Sequence, residues 1–211
     1  MGLYIGNTRY CPVIGKVDSL PYDAEIEYLE SSGTQHINTN IVPTANTGIR
    51  AGVYRNTSND LYIVGCRNDS GNTRWGICQV NRYYAGYGTN TTETTVYNTR
   101  AVLDLNYKND KNFIVRDYST LSVDNTISLP TLSFTPLYPI YLFGGGGYAW
   151  TQSWGKFNGR IYSAQITQSD TIVMDLIPVR IGQVGYMYDK ITNKFFGNAG
   201  TGNFILGADV T

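Results

Sequence analysis

Gly185-Tyr186-Met187-Tyr188-Asp189-Lys190-Ile191-Thr192-Asn193-Lys194-Phe195-Phe196-Gly197-Asn198-Ala199-Gly200-Thr201-Gly202 is the stretch on which the fold turns. Asp189 to Lys194 gathers turn-forming residues between two aromatic segments, Gly185–Tyr188 and Phe195–Phe196, and reads as a β-hairpin. The glycine- and asparagine-rich run after Phe196 then reverses the chain, which places Phe204 and Leu206 to close a core. Upstream, the same grammar repeats. Ile172 to Ile177, Arg160 to Thr167, Tyr138 to Phe143, Lys111 to Tyr118 and Asn98 to Asn106 all read as strands, and Asn109-Asp110 supplies a hairpin turn. Further back come Arg82 to Tyr87, Trp75 to Val80, Leu61 to Gly65, Gly48 to Tyr54 and the alternating Gln35 to Ile41. Turn clusters recur about every eight to twelve residues and no helical period persists beyond about one turn, the pattern of an antiparallel sandwich or barrel. Two packed antiparallel sheets bury such alternating faces most simply.

Composition agrees. The chain has 211 residues, enough for one domain with a proper core, or one domain plus a short extension. Sixteen basic and sixteen acidic side chains cancel, so nothing draws the protein to nucleic acid or to an anionic membrane. Charged residues are 15% of the chain, against about 25% in ordinary soluble domains, and 18 Tyr and 23 Gly stand in their place. Tyr and Thr suit pleated surfaces, and Gly and Asn suit tight turns. A single histidine argues against histidine-centred catalysis and histidine-rich metal sites. Cys11, Cys66 and Cys78 are too few for a disulfide framework; Cys66 and Cys78 sit in apolar strand contexts and read as buried small hydrophobes. No apolar run of about twenty residues spans a membrane. The N-terminus lacks the basic and apolar regions of a signal peptide, and Gly6 stands where a myristoylation signal needs Ser or Thr. Folding in a cytoplasm is expected.

Residues 1–24 differ from the rest and read as an arm and linker ahead of a domain spanning 25–211. Leu3, Tyr4, Ile5, Tyr10, Val13 and Ile14 are the candidate partner-binding residues of the arm, with Gly6-Asn7 as a hairpin turn. A two-stranded ribbon is marginal alone, so it docks on its own domain or on a partner. Two further segments read as exposed loops: the threonine-rich Thr89 to Thr95, an edge or hairpin tip, and Gly144-Gly145-Gly146-Gly147 with the aromatics that follow it. The tetraglycine lacks the following helix and the Gly-Lys-Ser or Gly-Lys-Thr of a phosphate loop.

For chemistry, His36 is the only base available to a nucleophilic triad, and a lone strand histidine is more simply a packing residue. Glu25, Glu27, Glu30 and Glu93 do not form the Glu-x-Asp-x-x-Glu pattern of sandwich-fold glucanases. Asp60, Asp69, Asn56, Asn59 and Asn68 offer oxygens to calcium, but turn composition explains them equally well. No catalytic residue, metal or cofactor is assigned. The abundant resource is aromatic. Tyr83, Tyr84, Tyr87, Tyr148, Trp150 and Trp154 are candidates to stack on sugar faces, against the plainer use of such residues in cores and subunit interfaces.

Three segments carry a resemblance: Tyr28-Leu29-Glu30-Ser31-Ser32-Gly33-Thr34-Gln35-His36-Ile37-Asn38-Thr39, then Gly159-Arg160-Ile161-Tyr162-Ser163 with Asp175-Leu176-Ile177-Pro178-Val179-Arg180, and the run opened on above. Together they resemble the concanavalin A-like, laminin-G-like jelly-roll domains of gut Bacteroides surface proteins and of the virion proteins of their phages, over roughly residues 25–207. His36 and Met187 depart from the family's usual Tyr and Leu. The resemblance implies an all-β, antiparallel two-sheet jelly roll whose motif residues make turns and packing rather than a catalytic site. It also implies a non-enzymatic virion component, such as a capsid decoration, head fibre or tail appendage of a crAss-like phage. Residues 1–24 would anchor it to other virion proteins, as a dimer or trimer. The alternative it leaves is a carbohydrate-binding module or adhesin gripping host glycans through aromatic loops.

Overall fold

Period-two alternation becomes eighteen strands in the computed structural model, which describes residues 20–56, 61–68, 73–79, 81–96, 98–131 and 133–210, apart from the side chains of Leu61 and Trp154. In chain order they are β1 (Ala24–Glu25), β2 (Leu29–Ser32), β3 (Ile37–Asn38), β4 (Thr47–Arg55), β5 (Leu61–Arg67), β6 (Arg74–Gln79), β7 (Tyr83–Gly88), β8 (Asn90–Glu93) and β9 (Arg100–Leu105). There follow β10 (Asn112–Asp117), β11 (Val123–Ser128), β12 (Tyr141–Leu142), β13 (Gly144–Gly147), a helical turn α1 (Tyr148–Thr151), β14 (Asn158–Gln168), β15 (Thr171–Ile181), β16 (Val184–Asp189), β17 (Lys194–Phe196) and β18 (Ile205–Leu206). The first sheet runs β11-β10-β9-β4-β14-β15-β16-β17, with β1 on β15, β2 beside the first half of β14, and β18 on β2. The second runs β3-β12-β5-β6-β7-β8. All these pairings are antiparallel; β13, set parallel on β5, is the exception.

The core lies between the sheets. Ile49, Ala51 and Val53 alternate inward from β4, Leu103 and Leu105 from β9, and Trp75, Ile77, Tyr83 and Tyr87 oppose them from the second sheet. Buried polar tips need partners. Trp75 Nε1 donates to the Thr47 carbonyl at 3.3 Å, the Tyr83 hydroxyl to Asn98 at 2.6 Å, and the Tyr87 hydroxyl to Ala45. Each bond ties the second sheet to the start of a first-sheet strand or to the chain just before it.

The hairpin read from 185–196 is present, with Met187 opposite Phe196 and Asp189 opposite Lys194. Buried Asp189 organises its turn by accepting from Thr192 Oγ1 at 2.6 Å and from two backbone amides. The opening and closing motifs, more than 160 residues apart in sequence, are stitched together. His36 N donates to Asn198 Oδ1, Ala199 N to the His36 carbonyl, and Thr201 N to the Thr34 carbonyl. A Cβ on Gly200 would fall 2.1 Å from Thr34 O, so only glycine permits this closure.

Gly144–Gly147, expected from sequence to be an exposed loop, is instead a buried strand. The reason is a row of glycines across the second sheet: Gly145 pairs with Gly65, Gly65 with Gly76, and Gly76 with Gly86. With no side chains in the row, Ala149 of α1 and the Tyr62 ring settle directly on the backbone at Gly145. β11, not anticipated from sequence, is an exposed edge strand whose outward residues, Val123 apart, are the small polar Asp124, Thr126 and Ser128. Thr89 to Thr95 holds an edge of the second sheet, β8, and Thr95 Oγ1 accepts from Asn125 of β11 at 2.9 Å.

The expected arm contacts Leu3, Tyr4, Ile5, Tyr10, Val13 and Ile14, together with Cys11, lie outside the described residues. The chain just ahead of residue 25 is part of the first sheet. Asp23 N bonds Arg180 O at 3.0 Å, and Tyr22 packs edge-on against Tyr188 at 5.2 Å. Cys66 is buried and Cys78 half-buried, and neither is in a disulfide; burial pushes the Cys66 thiol up to about 12. Among the described residues no helix is long and apolar enough to cross a membrane.

Candidate functional site

Side chains that alternate inward on the first sheet make the core; those that alternate outward make a cleft. Strand register fixes three rows across this outer face. In the middle row Arg116 of β10 opposes Val102 of β9, Val102 opposes Gly52 of β4, and Gly52 opposes Ser163 of β14. Its centre is low because two of these residues are glycine and serine. A β-bulge between Ile161 and Ser163 turns both Tyr162 and Ser163 outward, which widens the gap. The row on one side reads Asp104, Arg50, Gln165, Asp175, and the row on the other reads Arg100, Tyr54, Arg160, Glu30. High walls flank a low floor, and the resulting cavity holds about 590 Å³, a size suited to a small oligosaccharide.

The wall on the Arg50 side is a polar lattice. Asp104, 1% exposed, accepts from Arg50 Nε at 2.6 Å and Nη2 at 2.8 Å, and from Arg116 Nε at 2.9 Å. These bonds hold the Arg50 guanidinium firmly charged, above its ordinary value. The Tyr107 ring supports Arg50 from below at 4.2 Å. The Tyr107 hydroxyl donates to Gln165 Oε1 at 2.7 Å, Gln165 Nε2 donates to Asp175 at 3.0 Å, and Lys190 pairs with Asp175 at 2.9 Å. On the other side Tyr118 lines the cavity, and behind it lies a cluster of aromatic rings and arginines. Arg100 lies 3.7 Å from the Tyr118 ring centre and 4.2 Å from that of Tyr162, and the two rings are 4.9 Å apart. Arg160 is held the same way over Tyr28, 4.2 Å away, and by Glu30 at 2.7 Å. Tyr118 faces the cavity, beside Ser119 and Leu121 of the turn after β10. Polar groups fixed in advance and a half-buried ring at the cavity edge are what a sugar needs: donors and acceptors for hydroxyls, and a ring for its C–H face.

The aromatics singled out in the sequence fall elsewhere. Tyr83 and Tyr87 are 0% and 2% exposed, so as sugar platforms they are corrected to core residues; their strand alternation points them between the sheets. Tyr84, between them on β7, faces out and is half-buried. Tyr148 and Trp150 share α1, and Trp154 lends its backbone to the 3-10 turn Ser153–Gly155. Trp150 is engaged internally, its ring 4.0 Å from buried His36, which stacks on Tyr141 at 4.4 Å. Burial lowers the His36 imidazole to about 4, and its Nδ1 has no partner among the described residues. No base for catalysis is made there.

Of the oxygens considered for calcium, Asn59, Asp60 and Asp69 lie outside the described residues. Asn68 is engaged with the backbone at Thr135 and Leu137, and Asn56 bonds Glu30 and Asn158. Among the described residues no cluster of metal-ligating side chains occurs. Of the carboxylates considered for hydrolysis, Glu30 pairs with Arg160, Glu93 with Arg82, and Glu25 accepts from Tyr22. The cleft residues went unread, yet a signal was there. In a chain poor in charge, Arg50, Asp104, Arg116 and Asp175 each interrupt an apolar strand at the outward parity.

No protein-family model and no curated protein matches the sequence. Among solved structures, one from Bacteroides ovatus, a protein to which carbohydrate binding is provisionally ascribed, superposes with a TM-score of 0.52 at 10% identity. The likeness covers 89% of this chain and 61% of that one, so the chain spans under two thirds of its neighbour's length. At that identity the likeness establishes the fold, an all-β jelly-roll sandwich, and nothing finer.

Proposed function

We propose that the protein is a non-catalytic carbohydrate-binding domain that holds a glycan in the cleft on the outer face of its first sheet. The observation that carries this reading is the low Val102-Gly52-Ser163 floor between an Arg50-Gln165-Asp175 wall and the Tyr118 face. The ascribed role of the structural neighbour points the same way. Binding without hydrolysis is favoured because the cleft carboxylates are committed to ion pairs, Asp104 with Arg50 and Arg116 and Asp175 with Lys190, rather than facing each other across the floor as an acid and base pair. A glycan array followed by titration calorimetry tests the proposal. Saturable binding weakened at least about tenfold by Tyr118→Ala, with Trp150→Ala unchanged, supports the cleft. Binding that Trp150→Ala abolishes and Tyr118→Ala spares moves the site to α1, and a blank array removes the reading.

A virion structural role stands second. It rests on the family resemblance and on residues 1–24, of which 1–19 lie outside the described residues. The two readings combine in an adhesin carried on a particle. Removing residues 1–19 keeps the Tyr22 and Asp23 ties to the first sheet. That truncation is expected to fold, bind glycan and fail to join particles; its normal incorporation would end the anchoring idea.

A further inference from the structure

We infer, resting on the carbohydrate reading above, that the glycan is acidic and that its oxyanion is met by Arg50 and Arg116. Three cations, Arg50, Arg116 and Lys190, line the cavity; Asp104 and Asp175 make their ion pairs, and Asp110 acts on both arginines from further off. Lys190 and Asp175 neutralise each other. Unused hydrogen-bond donors therefore gather at one place, because a single buried carboxylate makes the direct ion pairs of two guanidinium groups. Asp104 takes Arg50 through Nε and Nη2 and Arg116 through Nε, while Arg116 Nη1 reaches the Leu121 carbonyl at 3.4 Å. Arg50 Nη1 and Arg116 Nη2 keep no partner among the described residues, and both side chains line the cavity at 35% and 23% exposure.

A neutral sugar has no need of this arrangement. Hydroxyls are served by Gln165 and Ser163, which stand in the same cleft. Two guanidiniums locked by the carboxylate beneath them, with one N–H edge each turned to a half-enclosed space, match the oxygens of a carboxylate or sulfate on a sugar ring. Their rotamers are fixed before the ligand arrives, so little conformational entropy is lost on binding. Asp104 sets the geometry without cancelling the charge of both arginines.

The test uses the full chain and matched pairs of probes: oligogalacturonide and alginate oligosaccharides, their carboxyl-reduced counterparts, and sulfated and desulfated carrageenan oligosaccharides. The expected result is at least tenfold tighter binding of an acidic member than of its neutral partner, with that preference weakening as salt rises. Preference for the carboxylated or for the sulfated probe names the source of the oxyanion. Arg116→Gln should bring the acidic-to-neutral affinity ratio to about one whatever it does to the neutral partner alone, and an unchanged thermal melt separates loss of the charge site from loss of the fold. Arg116→Lys should restore the preference only in part, since an ammonium lacks the fork. Equal binding of acidic and neutral members overturns the inference and leaves the carbohydrate reading intact. Binding of no member overturns both.

Discussion

Gly146→Ala is the sharpest probe of how this fold departs from its composition. The added Cβ would lie 2.2 Å from the Pro139 carbonyl oxygen, whereas ordinary contact begins near 3.4 Å. Relief requires a movement of about 1.2 Å, the difference of those distances. β13 has little freedom to move, because Gly144 to Gly147 are in parallel register with Val64 to Arg67 and Ala149 covers the sheet at Gly145. A shift that large is about a quarter of the spacing between strands and breaks ladder hydrogen bonds. Overpacking strain of this kind costs about 3 kcal/mol. For a chain of this size that lowers Tm by roughly 6–12 °C. Gly182→Ala is the control: nothing lies within 4 Å of its Cβ, and its φ of +57° costs about 1 kcal/mol through backbone strain alone. Urea and thermal unfolding of the two variants should therefore differ by about 2 kcal/mol. If Gly146→Ala melts with the parent or with Gly182→Ala, the tetraglycine is the open loop that its sequence suggests, and the parallel strand is wrong.

Gly52→Val raises the cleft floor under Tyr118, where the new Cβ meets the ring at 3.1 Å. Calorimetry should show glycan affinity down at least tenfold with stability changed by about 1 kcal/mol, and retained affinity would place the sugar elsewhere. Asp104→Asn strips the shared counter-ion from Arg50 and Arg116. Because both arginines are partly solvated, the cost is about 2 kcal/mol rather than that of a fully buried pair, and a double-mutant cycle with Arg116→Gln should recover part of it. His36 binds its proton near pH 4 when folded and near 6.5 when unfolded. Its contribution is therefore fully present above about pH 6.5 and fades as pH falls towards 4, by on the order of 3 kcal/mol. His36→Asn should flatten the stability profile in that window; an unchanged profile would mean that the imidazole is solvated.

Much of the fold was legible because alternation and turn chemistry are local. Asp189, Asn193 and the aromatics around them specify one hairpin whatever surrounds it, and the terminal motifs announce the jelly roll that the Bacteroides ovatus structure shares. The site was not legible in the same way. Period two says that Arg50, Asp104, Arg116 and Gln165 point away from the core, but only the pairing order β10-β9-β4-β14 brings them side by side. Tyr83 and Tyr87 show the converse: rich aromatic composition promised a sugar platform, and strand parity turned both rings into the core. The tetraglycine failed for a third reason. Glycine is the residue of flexible loops and also of close backbone approach, and a sequence does not say which neighbour approaches. By itself, then, the sequence determined most of the strands, though not β11 or β13, with their turns and the charge-poor surface, all set by contacts a few residues apart. The tertiary structure alone decided which outward side chains share a cleft and which glycines lie beneath a neighbour, because register across strands far apart in the chain sets those distances.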